Sequence, residues 1–163
     1  MNNLKSRSTI FLQAVIVLTG IVTLAMLIRF PLTEGRAKNS DLPDIYLDPF
    51  ILYGYGASIV FFVALYKLFK LLGYIGQNKE FSHQSVKTLK EIRHCAIILS
   101  SLILAAGIFI KMFHAKDDDP AGFLVMCIAA TFISIVVAVT AFVFEKILQN
   151  GVDIKSEYEQ RVR

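Results

Sequence analysis

From Thr9 to Ile28 the chain runs without a single charged side chain, and three further apolar stretches follow at about Pro49 to Leu72, Cys95 to Phe113 and Pro120 to Phe144. A hydrocarbon core of roughly 30 Å is crossed by about 20 residues of helix, so each stretch is long enough to span a membrane. The expectation is an all-α integral membrane protein with four transmembrane helices in an up-down bundle. It forms a single membrane domain over residues 1–163, with spans at about 9–29, 49–72, 95–113 and 120–144 and a tail at 145–163. Composition agrees. Hydrophobic residues make up 55% of the chain and the mean hydropathy is +0.59, against roughly 45 to 50% apolar content in an average soluble domain.

The first run also has to be tested as a signal peptide, because Lys5 and Arg7 precede it. It is longer than the roughly 7 to 15 residues of a signal core, and Arg29-Phe30-Pro31 is a poor cleavage context. It therefore reads as an uncleaved first span.

A net charge of +4 with a pI near 9.1 invites a nucleic-acid reading, but the basic residues gather at the ends of the apolar runs rather than on a soluble face. Four spans place both termini on one side. Of the 17 Lys and Arg residues, twelve fall on that side, including the cluster from Lys67 to Arg93, and five (Arg29, Arg36, Lys38, Lys111 and Lys116) fall on the other. The positive-inside rule then puts both termini and the 73–94 connection in the cytoplasm.

The outward connections "YLDPF" and "DDDPA" each set Asp before Pro at the start of a span. Asp48 and Asp119 suit the N-cap, and Pro49 and Pro120 suit the first helical position. The shared layout hints at two related halves, although the spans differ in length and little else aligns. Lipid offers no hydrophobic drive between helices, so close approach of small residues has to supply packing. Gly54 with Ser58, Ser101 with Ala105, and Ala130 with Ser134 and Ala138 offer such faces, either for packing within one subunit or for self-association. Tyr46, Tyr53, Tyr66 and Tyr74 suit interfacial anchoring.

The polar stretch between spans two and three, "FSHQSVKTLKEIRHC" at 81 to 95, is patterned as a helix. Ser82 suits the N-cap. Val86, Leu89, Ile92 and Ala96 recur on one apolar side, while His83, Lys87, Lys90 and His94 line another. This is a cytoplasmic amphipathic helix. It either lies at the interface or extends the third span as a stalk, with its lysines meeting anionic headgroups at about 1 kcal/mol each, or it presents the basic line to a cytoplasmic partner. No nucleic-acid module accompanies it.

Metal and catalytic readings find little to stand on. His83 and His94 lie roughly 16 Å apart along a helix and cannot share one ion. His114 with Asp117, Asp118 and Asp119 is a looser outward cluster, better explained as a solvated acidic loop with a helix cap. The span centres carry only neutral polar groups: Gln13, Thr19, Thr23, Ser58, Ser100, Ser101, Thr131, Ser134 and Thr140. Arg29, Lys67, Lys70, Lys111 and Glu145 sit toward ends where they can snorkel. An ionisable group at mid-membrane, the usual mark of a proton-coupled carrier, is missing. Cys95 and Cys127 lie at different depths, beyond the roughly 7 Å that a disulfide bridges between Cα atoms, and read as packing residues. No phosphate loop, Ser/His/Asp set or HExxH motif is present. No catalytic, cofactor-binding or metal-binding residue is assigned, and the chain is expected not to be an enzyme.

The stretch "NKEFSHQSVKTLKEIRHCA", together with the later "VFEKILQNGVDIKSEYEQRV", resembles a bacterial family of four-span inner-membrane proteins whose domain is of unknown function, the DUF2975-like family. Phe81, Ser82, Ser85, Val86, Leu89, Lys90 and Ile92 match that family's Phe-Ser-x-x-Ser/Asn-Val-x-x-Leu-(Lys/Arg)-x-Ile stretch. The family's tail ends in an acidic Glu-Asn-Asp-Leu-Thr run. Here Glu157 and Glu159 keep the acids, while Tyr158, Gln160 and Arg161 depart from the pattern. Members are often encoded beside a small Xre-type helix-turn-helix regulator, so the resemblance implies a membrane component of a regulatory or stress-linked pair.

The expected function is a non-enzymatic regulatory or interaction component of the bacterial cytoplasmic membrane. Its contact face is His83, Lys87, Lys90 and His94, with the tail residues Asp153, Glu157 and Glu159 as a second element. The partners expected are the lipid bilayer, a cytoplasmic regulatory protein and further copies of the chain, with no direct contact to nucleic acid and no cofactor. A transporter or permeability subunit acting as an oligomer, with Thr131, Ser134 and Thr140 lining its path, is the alternative. A lipid-sensing structural role is the other.

Overall fold

A run of apolar residues that cannot hydrogen-bond to lipid has to satisfy its backbone within itself, and all four runs do so as helices. The computed structural model describes residues 2–33, 49–77, 79, 81–113 and 121–161. Among these, α1 spans Asn2–Thr33, α2 Pro49–Gly76, α3 His83–Phe113 and α4 Ala121–Arg161. Each contains a segment long and apolar enough to cross a membrane. The caps expected at Asp48 and Asp119, Pro120, and the cluster of His114 with Asp117 to Asp119 lie outside the described residues.

Helix ends follow local chemistry where they are described. Pro49 opens α2, a position where its missing N–H costs nothing. At the other end of α2, the Gln77 N–H reaches the Gly73 carbonyl at 3.2 Å and the Lys79 N–H reaches Tyr74 O at 2.9 Å, which satisfies carbonyls that the helix leaves open. Ser82 caps α3 as expected. The Ser85 N–H donates to Ser82 Oγ at 3.2 Å, and the N–H groups of Ser85 and Val86 meet Ser82 O at 3.0 and 3.2 Å. Such a cap contributes about 1 kcal/mol.

Two helices run further than their apolar stretches. The amphipathic segment 83–94 is not a separate helix but the first three turns of α3, continuous into the third span. Likewise the tail after 144 prolongs α4 to Arg161. No proline interrupts either segment, and the helical period carries on through the change from apolar to polar residues.

The helices pack in chain order, α1 on α2, α2 on α3 and α3 on α4, with the most extensive seam between α3 and α4. Each seam is antiparallel. Along the first, Thr9 meets Gly76, Gln13 meets Gly73, and Gly20 meets Phe62, while the Tyr55 hydroxyl donates to Leu27 O at 3.3 Å. Along the second, Tyr53 OH donates to Leu102 O at 2.7 Å, and Lys67 pairs with Glu91.

The α3–α4 seam is built from small residues. Thr131, Ser134, Ala138 and Ala141 of α4 are buried facing α3, and Ala96 and Ser100 are buried on α3. A Cβ on Gly107 would lie 3.4 Å from Cβ of Cys127, so the backbones approach closely there. Of the three expected small-residue faces, the one on α4 is therefore used inside the chain. Ser101, Ala105 and Gly54 remain exposed. Thr131 and Ser134 are seam residues, and Ser134 Oγ donates to Ala130 O at 2.9 Å.

Among the described residues the cluster of buried aliphatic side chains lies at one end of the molecule. Leu71, Leu89, Ile92 and Ala141 cluster there, with Ile75 and Leu148 packed against them. Four of these six residues lie beyond the apolar stretches, and the other two, Leu71 and Ala141, lie in their last turns. The hydrophobic effect operates where water is the alternative, whereas inside lipid close approach has to serve instead. The change from small-residue seam to aliphatic core thus follows the change of solvent along the helices.

Candidate functional site

The aliphatic core end forms a charged head made from the last turns of α2, the first turns of α3 and the extension of α4. On α3 the polar and apolar residues separate as the sequence predicts. Leu89, Ile92 and Ala96 are buried with Ser85 and Thr88, and Val86 is half-buried. His83, Lys87, Lys90 and His94 are all exposed along the opposite line. At 100° per residue that line continues through Ile97, Ser101, Ala105, Ile108 and Met112, and every one of these is exposed too. A single uncovered track therefore changes from cationic to apolar between His94 and Ile97.

Two ion pairs hold this helix in place, and neither is visible in the linear pattern. Glu91 and Arg93 stand two residues apart and so point to different sides of α3. Glu91 Oε2 lies 2.6 Å from Lys67 Nζ on α2, and Arg93 Nη1 lies 2.9 Å from Glu145 Oε2 on α4. Lys67 and Glu145, expected to snorkel into solvent, are thus used as staples. The second staple is well covered, its side chains being 19% and 14% exposed. Glu145 Oε2 is buried and accepts no aligned hydrogen bond; among the described residues the Arg93 charge compensates it. Arg93 also stacks on Phe142 at 5.3 Å, and Lys146 approaches the same ring at 5.7 Å.

The turn before α3 is fastened as firmly. Ser85 is fully buried, and its hydroxyl donates to Lys79 O at 2.9 Å with Ser82 Oγ 3.1 Å away. The Phe81 ring lies so close to Gly151 that a Cβ there would sit 2.4 Å from Cδ1 and 2.6 Å from Cε1. Glycine in a helix interior costs about 1 kcal/mol relative to alanine, and here it makes the socket for the ring. The residues that carried the resemblance, Phe81, Ser82, Ser85, Leu89 and Ile92, therefore build the junction, and only Lys90 among them belongs to the exposed line.

His94 Nδ1 is 2.6 Å from Lys90 O. A carbonyl only accepts, so Nδ1 carries the hydrogen and Nε2 faces outward. The tail residues Asp153, Glu157 and Glu159 are exposed on the α4 extension. Asp153 Oδ1 accepts from Gln149 Nε2 at 2.9 Å. Asp153 and Glu157, four apart, share a side, while Glu159 points elsewhere. Among the described residues no ion pair joins these acids to the basic line, so the two expected elements are separate surfaces. Among the same residues no three His, Cys, Asp or Glu side chains gather as metal ligands, and Cys95 and Cys127 are free.

Sequence reasoning missed both staples and the Phe81 socket. The available signals were opposite charges at adjoining span ends, Lys67 with Glu91 and Arg93 with Glu145, and an isolated Gly151 within a helical pattern, which often marks a close approach.

Four helices able to cross a membrane, packed in chain order and ending in a charged head, define a multi-pass helical membrane protein. The chain belongs to the family described as Protein of unknown function (DUF2975), whose model matches residues 32–160. It is 40% identical over 157 residues to the uncharacterized membrane protein YoaS of Bacillus subtilis (strain 168), a match covering 95% of this chain and 98% of that one. No solved structure matches it.

Proposed function

We propose that this protein is a non-enzymatic interaction component of the bacterial cytoplasmic membrane, acting in regulation. Its four helices run up and down across the bilayer with both termini and the 77–82 turn in the cytoplasm. Its contact surface is the basic line His83, Lys87, Lys90 and His94, and its partner is a cytoplasmic protein. The observation that carries this reading is the exposure of all four residues on a helix fastened by the Ser82 cap, by the partly exposed Lys67–Glu91 and covered Arg93–Glu145 ion pairs, and by the Phe81 contact with Gly151. A recognition surface gains affinity when it is ordered before it binds. The charge balance of the connections supports the orientation, and the change from cationic to apolar after His94 marks where α3 enters hydrocarbon.

Reversing Lys87→Glu and Lys90→Glu together tests the proposal. Both side chains are exposed and neither makes a close ion pair among the described residues, Lys87 acting on Glu91 only through its field, so insertion and abundance stay at wild-type level while co-purification of the partner is lost. Unchanged recovery of the same partner with the reversed face contradicts the proposal.

A further inference from the structure

The end of the molecule away from the charged head contains a crevice of about 300 Å³ whose walls come from all four helices. Leu27 of α1, Gly54 and Ala57 of α2, Ala106 of α3, and Met126 and Ala130 of α4 are among its lining residues. Tyr53 and Tyr55 also border it, but their hydroxyls are donated to Leu102 O and Leu27 O at 2.7 and 3.3 Å. They therefore present ring faces, and the lining is nearly all hydrocarbon. The wall at Gly54 has room to spare, since a Cβ there would meet nothing within 4 Å. Among the lining residues Met126 is 73% exposed and marks the opening.

We infer that this crevice binds one acyl chain of a membrane lipid. The rim opens among residues of the apolar spans, so the medium that reaches it is bilayer hydrocarbon. Water has no polar partners there to hold it, and a headgroup or charged ligand would be desolvated without compensation. A helix from a second copy, about 10 Å across, is too thick for the space. The volume is about twice that of the roughly 150 Å³ cavity that takes a benzene, which suits a slender chain segment. Left empty, the walls would forgo dispersion contacts on one side. Among the described residues α1 packs chiefly against α2, and a chain lying against both Leu27 and Met126 ties α1 to α4. This site is remote from the basic line and does not depend on the proposed role of that line.

The test uses the full chain in phosphatidylglycerol and phosphatidylethanolamine vesicles containing a small fraction of phospholipid with a diazirine at mid-chain. After photolysis, adducts are mapped by peptide mass spectrometry. Wild type is expected to carry roughly tenfold more adduct on Met126 and Ala130 than on Ile128 and Phe132 at the same height, a ratio equivalent to about 1.4 kcal/mol of preference. Gly54→Leu with Ala106→Leu, which fills the space, abolishes that enrichment while labelling of Ile128 and Phe132 stays level. An even distribution in wild type overturns the inference by itself, without recourse to the filled variant. So does enrichment that survives filling, and so does copy-to-copy crosslinking through Met126 in place of lipid.

Discussion

Placing a methyl group in the Phe81 socket separates two opposing effects that the structure superimposes at Gly151. In a helix interior, Gly→Ala stabilises by about 1 kcal/mol through backbone entropy. Here the new Cβ would stand 2.4 Å from Cδ1 of Phe81, whereas carbon atoms pack at about 3.5 Å or more. The ring must therefore retreat by about 1 Å. Phe81 is 48% exposed, and full burial of such a side chain contributes about 1.5 to 3 kcal/mol, so its present packing supplies roughly half, near 1 kcal/mol. Gly151→Ala alone is expected to leave stability nearly unchanged, the helix gain offsetting the lost ring contact. In a Phe81→Ala background the same substitution should stabilise by about 1 kcal/mol, since only the propensity gain remains. Reversible unfolding in mixed detergent micelles, followed by circular dichroism, measures all four members of the cycle. Equal stabilisation in both backgrounds refutes the socket.

The buried staple is expected to behave differently from the socket. Glu145→Ala leaves the Arg93 charge uncompensated and should cost about 3 to 5 kcal/mol in the same unfolding assay, with Arg93→Met added to Glu145→Leu recovering most of the loss; a Glu145→Ala change below about 1 kcal/mol would show that the pair is solvated. Orientation is checked by a Gln84→Cys reporter in a chain carrying Cys95→Ser and Cys127→Ser. Impermeant maleimide should label it only after the cells are opened, and labelling in intact cells contradicts a cytoplasmic head.

The four helices were legible because bilayer thickness fixes the length of an apolar run, and 9–28 or 120–144 satisfies it without reference to any other part of the chain. The Ser82 cap and the two-sided pattern of 83–96 were legible for a similar reason, being set by neighbours within one turn. The continuity of 83–113 as one helix was not. The amphipathic segment has the same period whether it lies along the membrane surface or stands upon a span, and only its packing on α2 and α4 decides between them. Nor could the sequence pair Arg93 with Glu145 or seat Phe81 on Gly151. Those partners are separated by 50 residues or more, and helical phase gives the side on which a residue sits without naming the helix that faces it. The exposed line was read correctly as a line, while its continuation into the apolar track through Ile97 and Ser101 emerged only once α3 was seen as one element.

The measurement that bears most directly on the central claim is in-cell photocrosslinking from Gln84 and His94, both exposed beside or on the basic line, with Val125 at the opposite end as control. Thr88 is unsuitable because it is buried, its hydroxyl donating to Gln84 O at 2.8 Å. Capture of one and the same cytoplasmic protein from both head positions, absent from Val125, is the predicted result. Lipid alone at Gln84 and His94 would contradict the claim and make this face a membrane-surface contact.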